Sequence, residues 1–509
     1  MPRYAAVDIG SNSVRMMAAE VSAEGTKVLA QDRVVTRLGE SVFRSGKIGS
    51  DALDLLCSTL QRMAATYQKL DVLGVRAVAT SAVRDASNQQ EFSTRVAKAL
   101  GNPVEVISGQ EEARLIHLGV EARWPRPEER TLIVDLGGGS AELIISQDGK
   151  MVDADSRPLG AVRLNALLIE SDPPSPADLD RLNQYIDEKL APFVRRHRDE
   201  RFDRVVATSS TPAALVCAAN RIPRAERDSA DRMRASTSQI RRLFNQLVQE
   251  NVESRRRWVG IGPRRAEIII GGAAVFLKVL ETFGQPALYY SAAGVRDGII
   301  ADLAARGVGR DRSRLSREQR DAVEALSRRY GVELKHARHV AALASDLFES
   351  LQPVHRLPAS AGKLLEASSY LHDIGHYVSD TSHHKHSAYL VANSDLPGFT
   401  NHERLAIAAL CRFHRKSLPQ ARHAEYQTLD ADSKRAVLYL APILRLADAL
   451  DRSQEQKVRT LSAATKSGAI TLTVEAEPLA DLELWAAGEL ANVFRDVYAH
   501  SLTVRRAKL

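Results

Sequence analysis

Short runs of apolar residues alternate with stretches of helical periodicity over the first 306 residues of the chain. Apolar runs bounded by Gly, Ser, Asn or Asp predict strands, and apolar positions that recur every three to four residues predict helices. Alternation of the two favours an α/β fold. The predicted strands are 4–9, 14–21, 75–80, 104–107, 132–136, 141–146, 204–208 and 288–291, and the predicted helices are 51–70, 91–100, 111–121, 273–282 and 294–306.

The pattern changes after residue 306. Residues 307–320 are rich in Gly, Arg and Ser, which predicts an interdomain linker. Beyond it the periodicity is mainly helical and histidines are frequent, with a short β-like tail at 469–475. The domains predicted from these changes are a first lobe at 1–126, a second lobe at 127–306 and a helical domain at 307–509 that ends in a short β-containing tail.

An internal repeat relates the first two lobes. AAVDIGSNSVR at Ala5–Arg15 matches LIVDLGGGSAE at Leu132–Glu142, and VATS occurs at both Val78–Ser81 and Val206–Ser209. Two matches at nearly one offset indicate a duplicated unit, in which a strand, a tight turn and a second strand are followed by a later strand that ends in Thr-Ser. The repeat aligns Asp8 with Asp135, Gly10 with Gly137 and Ser13 with Ser140.

The two turns suit a phosphate ligand. A Gly/Ser turn leaves backbone N–H groups free to point at an oxyanion, and glycine permits a close approach. The Asp that ends each strand can anchor Mg²⁺ or its waters. A single turn of this kind would more often be only a tight hairpin. The matched pair favours two turns that hold neighbouring phosphates across a cleft.

Composition narrows the classes of partner. The chain has 509 residues, a formal net charge of +7 and a pI of about 9.2, which favours anionic partners. Aromatic residues make up only 5%, which weighs against a stacking platform for single-stranded nucleic acid. The N-terminus has no signal-peptide pattern, and the longest apolar stretch, 268–280, is interrupted by Lys278. Three widely spaced cysteines predict buried thiols. We expect a cytoplasmic protein that binds neither membrane nor nucleic acid.

The motifs VDIGSNSVR, TRLGE, VATSAVRDA, VISGQEEARLI, VDLGGGSAEL and SAAGVRDGII resemble those of the exopolyphosphatase/guanosine pentaphosphate phosphatase (Ppx/GppA) family, within the sugar kinase–Hsp70–actin superfamily. The resemblance implies two actin-like lobes of the ribonuclease H-like type. It also implies release of terminal phosphate from polyphosphate or from pppGpp, with Mg²⁺, K⁺ stimulation and a homodimer.

The resemblance also assigns roles to residues. Glu112 stands at the position of the catalytic base, and Arg84 at that of a residue that contacts the scissile phosphate. Ser210 stands where the family usually has glycine in a Ser-Gly-Thr turn. The expected Mg²⁺ ligands are Asp135 and Glu142. The expected phosphate-binding residues are Asp8, Gly10, Ser11, Asn12, Ser13, Arg37, Gly137, Gly138, Gly139, Ser140, Ser209 and Thr211.

Histidines and carboxylates of the C-terminal part form a second pattern. His336, His372-Asp373 and Asp448 match the H…HD…D order of HD phosphohydrolases, whose residues bind a divalent transition metal. His386 and His414 are candidates to complete a two-metal arrangement. Two alternatives stay open here: an HD-like domain without metal that serves dimerisation, and a cationic patch for polyphosphate at His383, His384, Lys385 and His386.

The main functional hypothesis is an exopolyphosphatase that also converts pppGpp to ppGpp. One alternative is a regulator that binds alarmone or polyphosphate and hydrolyses it weakly, and another is an HD-type phosphodiesterase. A nucleotide kinase is a further alternative, because Gly271-Gly272-Ala273 resembles the adenosine turn of that superfamily.

Overall fold

The computed structural model describes residues 1–22, 24–308 and 313–507. The chain divides into two compact units, Met1–Gly309 and Arg310–Leu509. Residues 309–312 of the predicted linker lie outside the described residues. In the described ranges, no helix is both long enough and apolar enough to cross a membrane. The three cysteines are free thiols; Cys217 and Cys411 are buried as predicted, whereas Cys57 is half-buried.

The first unit is an alternation of strands and helices with one 3₁₀ helix at Arg224–Ala230. Its strands are β1 (Arg3–Ile9), β2 (Ser13–Ser22), β3 (Gly25–Val35), β4 (Gly74–Ala79), β5 (Val104–Val106), β6 (Thr131–Leu136), β7 (Ala141–Gln147), β8 (Lys150–Arg157), β9 (Arg204–Thr208), β10 (Arg234–Ser236) and β11 (Ala287–Tyr290). Its helices are α1 (Leu38–Ser45), α2 (Ser50–Gln68), α3 (Ser81–Asp85), α4 (Gln89–Leu100), α5 (Gly109–Arg123), α6 (Ala161–Leu168), α7 (Pro176–His197), α8 (Ser210–Ala219), α9 (Thr237–Leu247), α10 (Val252–Arg255), α11 (Pro263–Ala266), α12 (Ile269–Thr282) and α13 (Val295–Ala305).

Two sheets of the same topology carry the repeat. The first has the order β3-β2-β1-β4-β5, and the second has the order β8-β7-β6-β9-β11 with β10 added at the edge. In each, a three-stranded antiparallel meander is joined by a parallel strand beside its first strand. The duplication inferred from two short sequence matches therefore extends over both sheets.

Strands β3 and β8 were not predicted. Both are outer strands whose residues are largely exposed or half-buried, so their sequences lack the continuous apolar run that marks the inner strands. The inner strands β1, β6 and β9 are almost entirely buried and match the predicted ranges within a residue.

Helices α5 and α13 cross at very short distance. A Cβ atom at Gly298 would lie 1.7 Å from the carbonyl oxygen of Leu115, so only glycine permits the crossing. Helix α13 also packs against β1, although it follows the second sheet in the chain. Apolar residues of both sheets and both helices form one shared core, which includes Ala6, Ile116 and Ile133.

Buried charges join the same elements. Asp302 on α13 accepts hydrogen bonds from Arg76 on β4 at 3.0 Å and from Arg114 on α5 at 2.8 Å. Glu111 also accepts from both arginines, at 2.9 and 2.7 Å. The side chains of Arg76, Arg114 and Asp302 are each 3% exposed or less, so this ion network has little contact with solvent.

The second unit is mainly helical, as predicted, with one 3₁₀ helix at Ile374–Tyr377. Its three-stranded sheet has the order β12-β13-β14. The predicted β-like tail corresponds to the middle strand, and the two outer strands were not predicted. The elements are α14 (Arg317–Arg329), α15 (Leu334–Ser350), α16 (Gln352–His355), α17 (Ala361–Leu371), α18 (His383–Ala392), α19 (Asn401–Phe413), α20 (Ala424–Gln427), α21 (Ala431–Ala449), β12 (Val458–Lys466), β13 (Ala469–Ala476), α22 (Asp481–Gly488), α23 (Ala491–Tyr498) and β14 (Ser501–Arg506).

Candidate active site

The two repeated turns make the same backbone hydrogen bond. The amide of Gly10 donates to the carbonyl of Ser13 at 3.1 Å, and the amide of Gly137 donates to the carbonyl of Ser140 at 3.0 Å. Both turns line one cleft of about 690 Å³. Within the described residues, four turn amides donate to no protein acceptor, and they belong to Ser11, Asn12, Gly138 and Gly139. These amides are therefore available to an oxyanion in the cleft.

The two turns lie against each other. A Cβ atom at Gly139 would stand 2.5 Å from the Ser81 hydroxyl and 2.7 Å from both the Ser11 hydroxyl and the Phe43 ring. Arg163 supports the second turn. Its Nε donates to the Gly139 carbonyl at 2.7 Å, and its guanidinium group packs over the Phe43 ring. The glycines of GGGS thus permit both the close packing of the turns and the exposure of their amides.

Substitution of Gly139 tests this packing. Gly139→Ala is expected to displace the two turns, to lower the free energy of unfolding by about 1–3 kcal/mol as overpacking does, and to weaken binding of a phosphate chain. Thermal unfolding with and without polyphosphate measures both effects. Gly488→Ala is the matched control, because a Cβ atom there would meet no other atom within 4 Å. Equal behaviour of the two variants would contradict the packing argument.

The residues opposite the two aspartates differ between the lobes. Asp8 pairs across the hairpin with Arg15, whereas Asp135 pairs with Glu142. Asp135 lines the cleft and accepts a hydrogen bond from Thr208. Burial raises the pKa of Asp135 to about 6, and it also raises the pKa of Asp8. The second hairpin therefore places two carboxylates at one register position, whereas the first places a carboxylate opposite an arginine.

Glu142 lies behind the cleft rather than in its wall. Its side chain is completely buried, and Oε1 accepts a hydrogen bond from Ser156 at 2.8 Å while Oε2 has no partner. Burial, with the nearby charge of Glu112, raises its pKa well above the usual range. An unsatisfied buried carboxylate oxygen next to Asp135 fits a hydrated Mg²⁺, which binds through one or two carboxylates and keeps several waters. These two residues thus fit the expected ion.

Glu112 and Arg84 form a pair at the edge of the cleft. Arg84 Nη1 donates to Glu112 Oε2 at 2.9 Å and to the Ile107 carbonyl at 2.9 Å. Glu112 lines the cleft but is only 6% exposed, and burial raises its pKa to about 7 despite the charge of Arg84. A carboxylate with this pKa can accept a proton near neutral pH. Arg84 does not line the cleft itself and instead orients the carboxylate.

Sequence reasoning missed the arginines that line the cleft: Arg123, which pairs with Asp231 at 3.0 Å, and five others that have no carboxylate partner. Arg265 is half-buried, and its Nη1 donates to the Thr211 hydroxyl at 3.0 Å. Burial, followed by the charges of Arg227 and Arg15, lowers its pKa to about 9. Within the described residues no carboxylate lies within 4 Å of any of the five guanidinium groups, which belong to Arg15, Arg33, Arg227, Arg265 and Arg296. Such a set of unpaired cations suits a polyanion.

The positions of the five unpaired arginines explain why they were missed. They come from β2, β3, the 3₁₀ helix, α11 and α13, so no spacing along the chain connects them. Arg15 alone gave a signal, because the repeat aligns it with Glu142 at the same register of the two hairpins.

Two other predicted residues, Arg37 and Thr211, do not line the cleft, whereas Ser209 does. Arg37 pairs with Glu40 and Glu267, each at 3.3 Å, and does not line the cleft. Thr211 is fully buried and holds Arg265 instead of contacting the cleft. Ser209 lines the cleft. It, rather than Ser210, takes the positive φ of 84° that favours glycine.

Ser210 at the family's glycine position has its own partner. It begins α8, is buried, and accepts a hydrogen bond from Arg15 at 2.9 Å. Its hydroxyl therefore fixes one of the five cleft arginines.

The predicted histidine pattern comes together in the second unit. Asp373 Oδ2 lies 3.9 Å from His336 Nε2 and 3.5 Å from His372 Nε2, and Asp448 Oδ1 lies 3.7 and 3.4 Å from the same two nitrogens. His414 joins them, with its Nε2 3.9 Å from Asp373 Oδ1.

His386 is not part of this cluster. It is half-buried on α18, while His383 at the start of the same helix has its Nε2 3.4 Å from Asp373 Oδ1. His383 and His384 are buried, so they do not form the exposed cationic patch that the sequence left open. Sequence order alone could not distinguish which histidine of HHKH faces the aspartate.

The chain matches models of known protein families. The sequence model of the Ppx/GppA phosphatase family matches residues 17–306, and the model of Ppx/GppA phosphatase domain III matches residues 319–491. The chain belongs to the Ppx/GppA phosphatase family. The first unit thus has the mixed α/β, actin-like fold of Ppx/GppA proteins, and the predicted relation of the second unit to HD domains stays a prediction.

Solved structures agree with this assignment. The crystal structure of an Aquifex aeolicus member of the Ppx/GppA family is 28% identical over 60% of this chain and 97% of its own, with a TM-score of 0.53. An exopolyphosphatase-like protein is 28% identical over 59% of this chain and 97% of its own, with a TM-score of 0.55. An exopolyphosphatase from Cytophaga hutchinsonii is 25% identical over 59% and 97%, with a TM-score of 0.54.

The candidate adenosine turn has a packing role in this Ppx/GppA chain. Gly271 and Gly272 lie inside α12, not before it, and both are buried. A Cβ atom at Gly272 would stand 2.5 Å from the Thr211 side chain, and one at Gly271 would stand 3.0 Å from Leu164. The two glycines therefore allow α12 to pack against α8 and α6, which removes the main sequence argument for a kinase.

Proposed function

We propose that this phosphatase releases terminal orthophosphate from inorganic polyphosphate in the cleft between the two repeated turns. The observation that carries the proposal is the set of five cleft guanidinium groups without a carboxylate partner, beside two turns with free amides. A chain of phosphates would supply a counter-charge to these five guanidinium groups.

The pair of Glu112 and Arg84 supplies the chemistry. A water molecule attacks the terminal phosphorus, and Glu112 takes its proton as the P–O bond to the next phosphate breaks. The Arg84 hydrogen bond at 2.9 Å holds the carboxylate in place. The leaving oxygen stays on the shortened chain, whose charge is compensated by the cleft arginines and the turn amides.

Asp135 and Glu142 would hold Mg²⁺. When bound, the ion would neutralise charge on the terminal phosphates. Ionisation of both carboxylates is disfavoured by burial, so a bound cation would also relieve their raised pKa values. The resemblance to the family also implies that K⁺ stimulates this hydrolysis, and we include that stimulation in the proposal.

The shape of the cleft favours a linear chain. A side branch of about 170 Å³ shares Arg33, Arg227 and Arg265 with the main cleft and continues past Arg224 and Arg264. Such an extended cationic surface is matched better by successive phosphates than by a nucleoside. Conversion of pppGpp to ppGpp is a second activity within this proposal and rests on the resemblance to the family. Tyr290, the one aromatic residue among those that line the main cleft in the described ranges, is only 3% exposed and accepts a hydrogen bond from Arg227.

A comparison of substrates tests the proposal. Phosphate release is measured with long polyphosphate, pppGpp and ATP at equal phosphate concentration in the presence of Mg²⁺. We expect the highest kcat/KM with long polyphosphate. Tight binding of ppGpp with negligible hydrolysis of all three would instead support the regulator hypothesis.

Arg265 is expected to affect binding more than turnover. Arg265→Ala removes a cation that faces distal phosphates, so KM for long polyphosphate should rise about tenfold or more, with a smaller change in kcat. The dependence of KM on salt should become shallower, because fewer phosphate contacts are made. Arg242→Ala, an exposed arginine outside the cleft, is the control. A loss of kcat without change in KM would contradict this role.

A further inference from the structure

A cluster of histidines surrounds Asp373 in the second unit. It draws on α15, α17, the 3₁₀ helix, α18, α19 and α21. Each oxygen of Asp373 faces its own group of imidazole Nε2 atoms. Oδ2 faces His336 at 3.9 Å and His372 at 3.5 Å, and Oδ1 faces His376 at 3.7 Å, His383 at 3.4 Å and His414 at 3.9 Å.

The outer nitrogens of these rings orient the inner ones. Nδ1 of His336 bonds Asp451 at 2.8 Å, that of His372 bonds the Ser369 carbonyl at 2.9 Å, and that of His414 bonds the Cys411 carbonyl at 2.7 Å. Because each Nδ1 donates its proton to an oxygen, each neutral ring presents a lone pair on Nε2 to the centre. This is the arrangement of metal-binding histidines.

Two of the inner nitrogens lack hydrogen-bond partners. His336 and His372 are 3% and 1% exposed, and neither Nε2 has a hydrogen-bond partner. The Nε2 atoms of His383 and His414 are 3.2 Å apart, close enough to share a hydrogen bond or to bind one ion together. Unsatisfied buried polar atoms are costly. Ligands of one ion at about 2.0–2.2 Å stand roughly 3–4 Å apart, which is the spacing found here.

We propose that the second unit binds two divalent transition-metal ions bridged by the Asp373 carboxylate. The first ion takes His336, His372, Asp373 Oδ2 and Asp448. The second takes Asp373 Oδ1 with His376, His383 and His414. The mixture of imidazole and carboxylate donors selects Mn²⁺, Fe²⁺, Co²⁺ or Zn²⁺ over Mg²⁺, which prefers oxygen ligands.

One side of this centre is open. The side chains of His376 and Asp448 are 42% and 23% exposed, whereas the other four histidines are at most 4% exposed. Arg415 Nη1 lies 3.4 Å from the His383 ring. Open positions and an adjacent cation distinguish this centre from a closed structural site and suit water or an anionic ligand on the ions.

Titration of the full-length chain with Co²⁺ tests the site. Chelator-treated protein is titrated, and the visible absorption of Co²⁺ is followed because it reports nitrogen ligation. The residues that line the phosphatase cleft in the described ranges include no histidine, so Co²⁺ bound there would lack imidazole ligands. We expect two ions per chain and a raised unfolding temperature in their presence.

Variants assign the ions to their residues. His383→Ala should retain one ion, Asp373→Asn should weaken both, and Asp451→Asn should weaken the first about 10- to 100-fold through the His336 ring. His386→Ala, on the same helix but outside the cluster, should behave as wild type. Circular dichroism checks the fold of each variant. Absence of nitrogen-ligated Co²⁺, a stoichiometry of one, or equal behaviour of His383→Ala and His386→Ala would overturn the proposal.

Discussion

Glu112→Gln is expected to lower kcat for phosphate release by about 10²- to 10⁴-fold, the usual contribution of a general base. Glutamine has the same shape and can still accept the hydrogen bond that Arg84 donates at 2.9 Å, so binding of polyphosphate should persist. Phosphate release under saturating substrate and equilibrium binding of polyphosphate measure the two quantities separately.

The same residue, Glu112, is expected to set the pH dependence of kcat/KM in the wild-type enzyme. Because burial raises the pKa of Glu112 to about 7, the base is protonated in acid and kcat/KM should fall as the pH drops below about 7. Glu112 ionises in the unfolded chain near its ordinary pKa of 4.5, so burial lowers stability progressively as the pH rises from about 4.5 to about 7, and the full penalty remains above that pH. Glu112→Gln should therefore unfold at a higher temperature than wild type at pH 8, with a smaller difference at pH 5.

Glu111→Gln is the matched control. Glu111 is the adjacent residue on α5, but it accepts hydrogen bonds from Arg76 and Arg114 at 2.9 and 2.7 Å and does not line the cleft. Its loss should lower stability and leave kcat nearly unchanged. Full activity of Glu112→Gln, or an equal loss of kcat in both variants, would remove Glu112 from the mechanism.

Asp302→Ala is expected to lower the free energy of unfolding by about 3–5 kcal/mol, because it leaves buried charges without compensation. Asp302 is buried and contacts Arg76 and Arg114 at 3.0 and 2.8 Å. Although burial alone would raise its pKa, the charges of Arg114, Arg306 and Arg76 hold the pKa well below 3.8. Its stabilising contribution is therefore complete above pH 3.8 and is lost only as the pH falls below that value.

Denaturant unfolding at neutral pH measures this effect. Asp187→Ala is the control, because Asp187 pairs with Lys278 at the surface, where both side chains are more than 40% exposed. Exposed pairs contribute about 0–1 kcal/mol. Equal stability losses in the two variants would show that the Asp302 network does not hold α5, α13 and β4 together.

The inner strands and the paired turns could be predicted because each depends on neighbouring residues. A buried strand such as Leu132–Leu136 is apolar at every position except Asp135, and the duplication repeats VDIG as VDLG. The outer strands β3 and β8 could not be found in this way, because exposure on one side leaves no constraint on their polarity.

The site was predictable only where a motif marks it. Glu112 and Asp135 stand in local motifs and line the cleft, whereas Arg227, Arg265 and Arg296 reach it from elements far apart in the chain. Burial also decides roles that motifs do not show. Arg37 lies in a motif yet pairs with Glu267, and His386 lies beside the histidine that faces Asp373.

In the proposed reaction, water and not a nucleotide receives the phosphoryl group in the cleft. The direct measurement is phosphate release from long polyphosphate in H₂¹⁸O with Mg²⁺ and ADP present, followed by mass spectrometry of the products. We predict that each released orthophosphate carries one ¹⁸O atom and that no ATP forms. Formation of ATP without labelled orthophosphate would rule out hydrolysis and assign the cleft to a kinase.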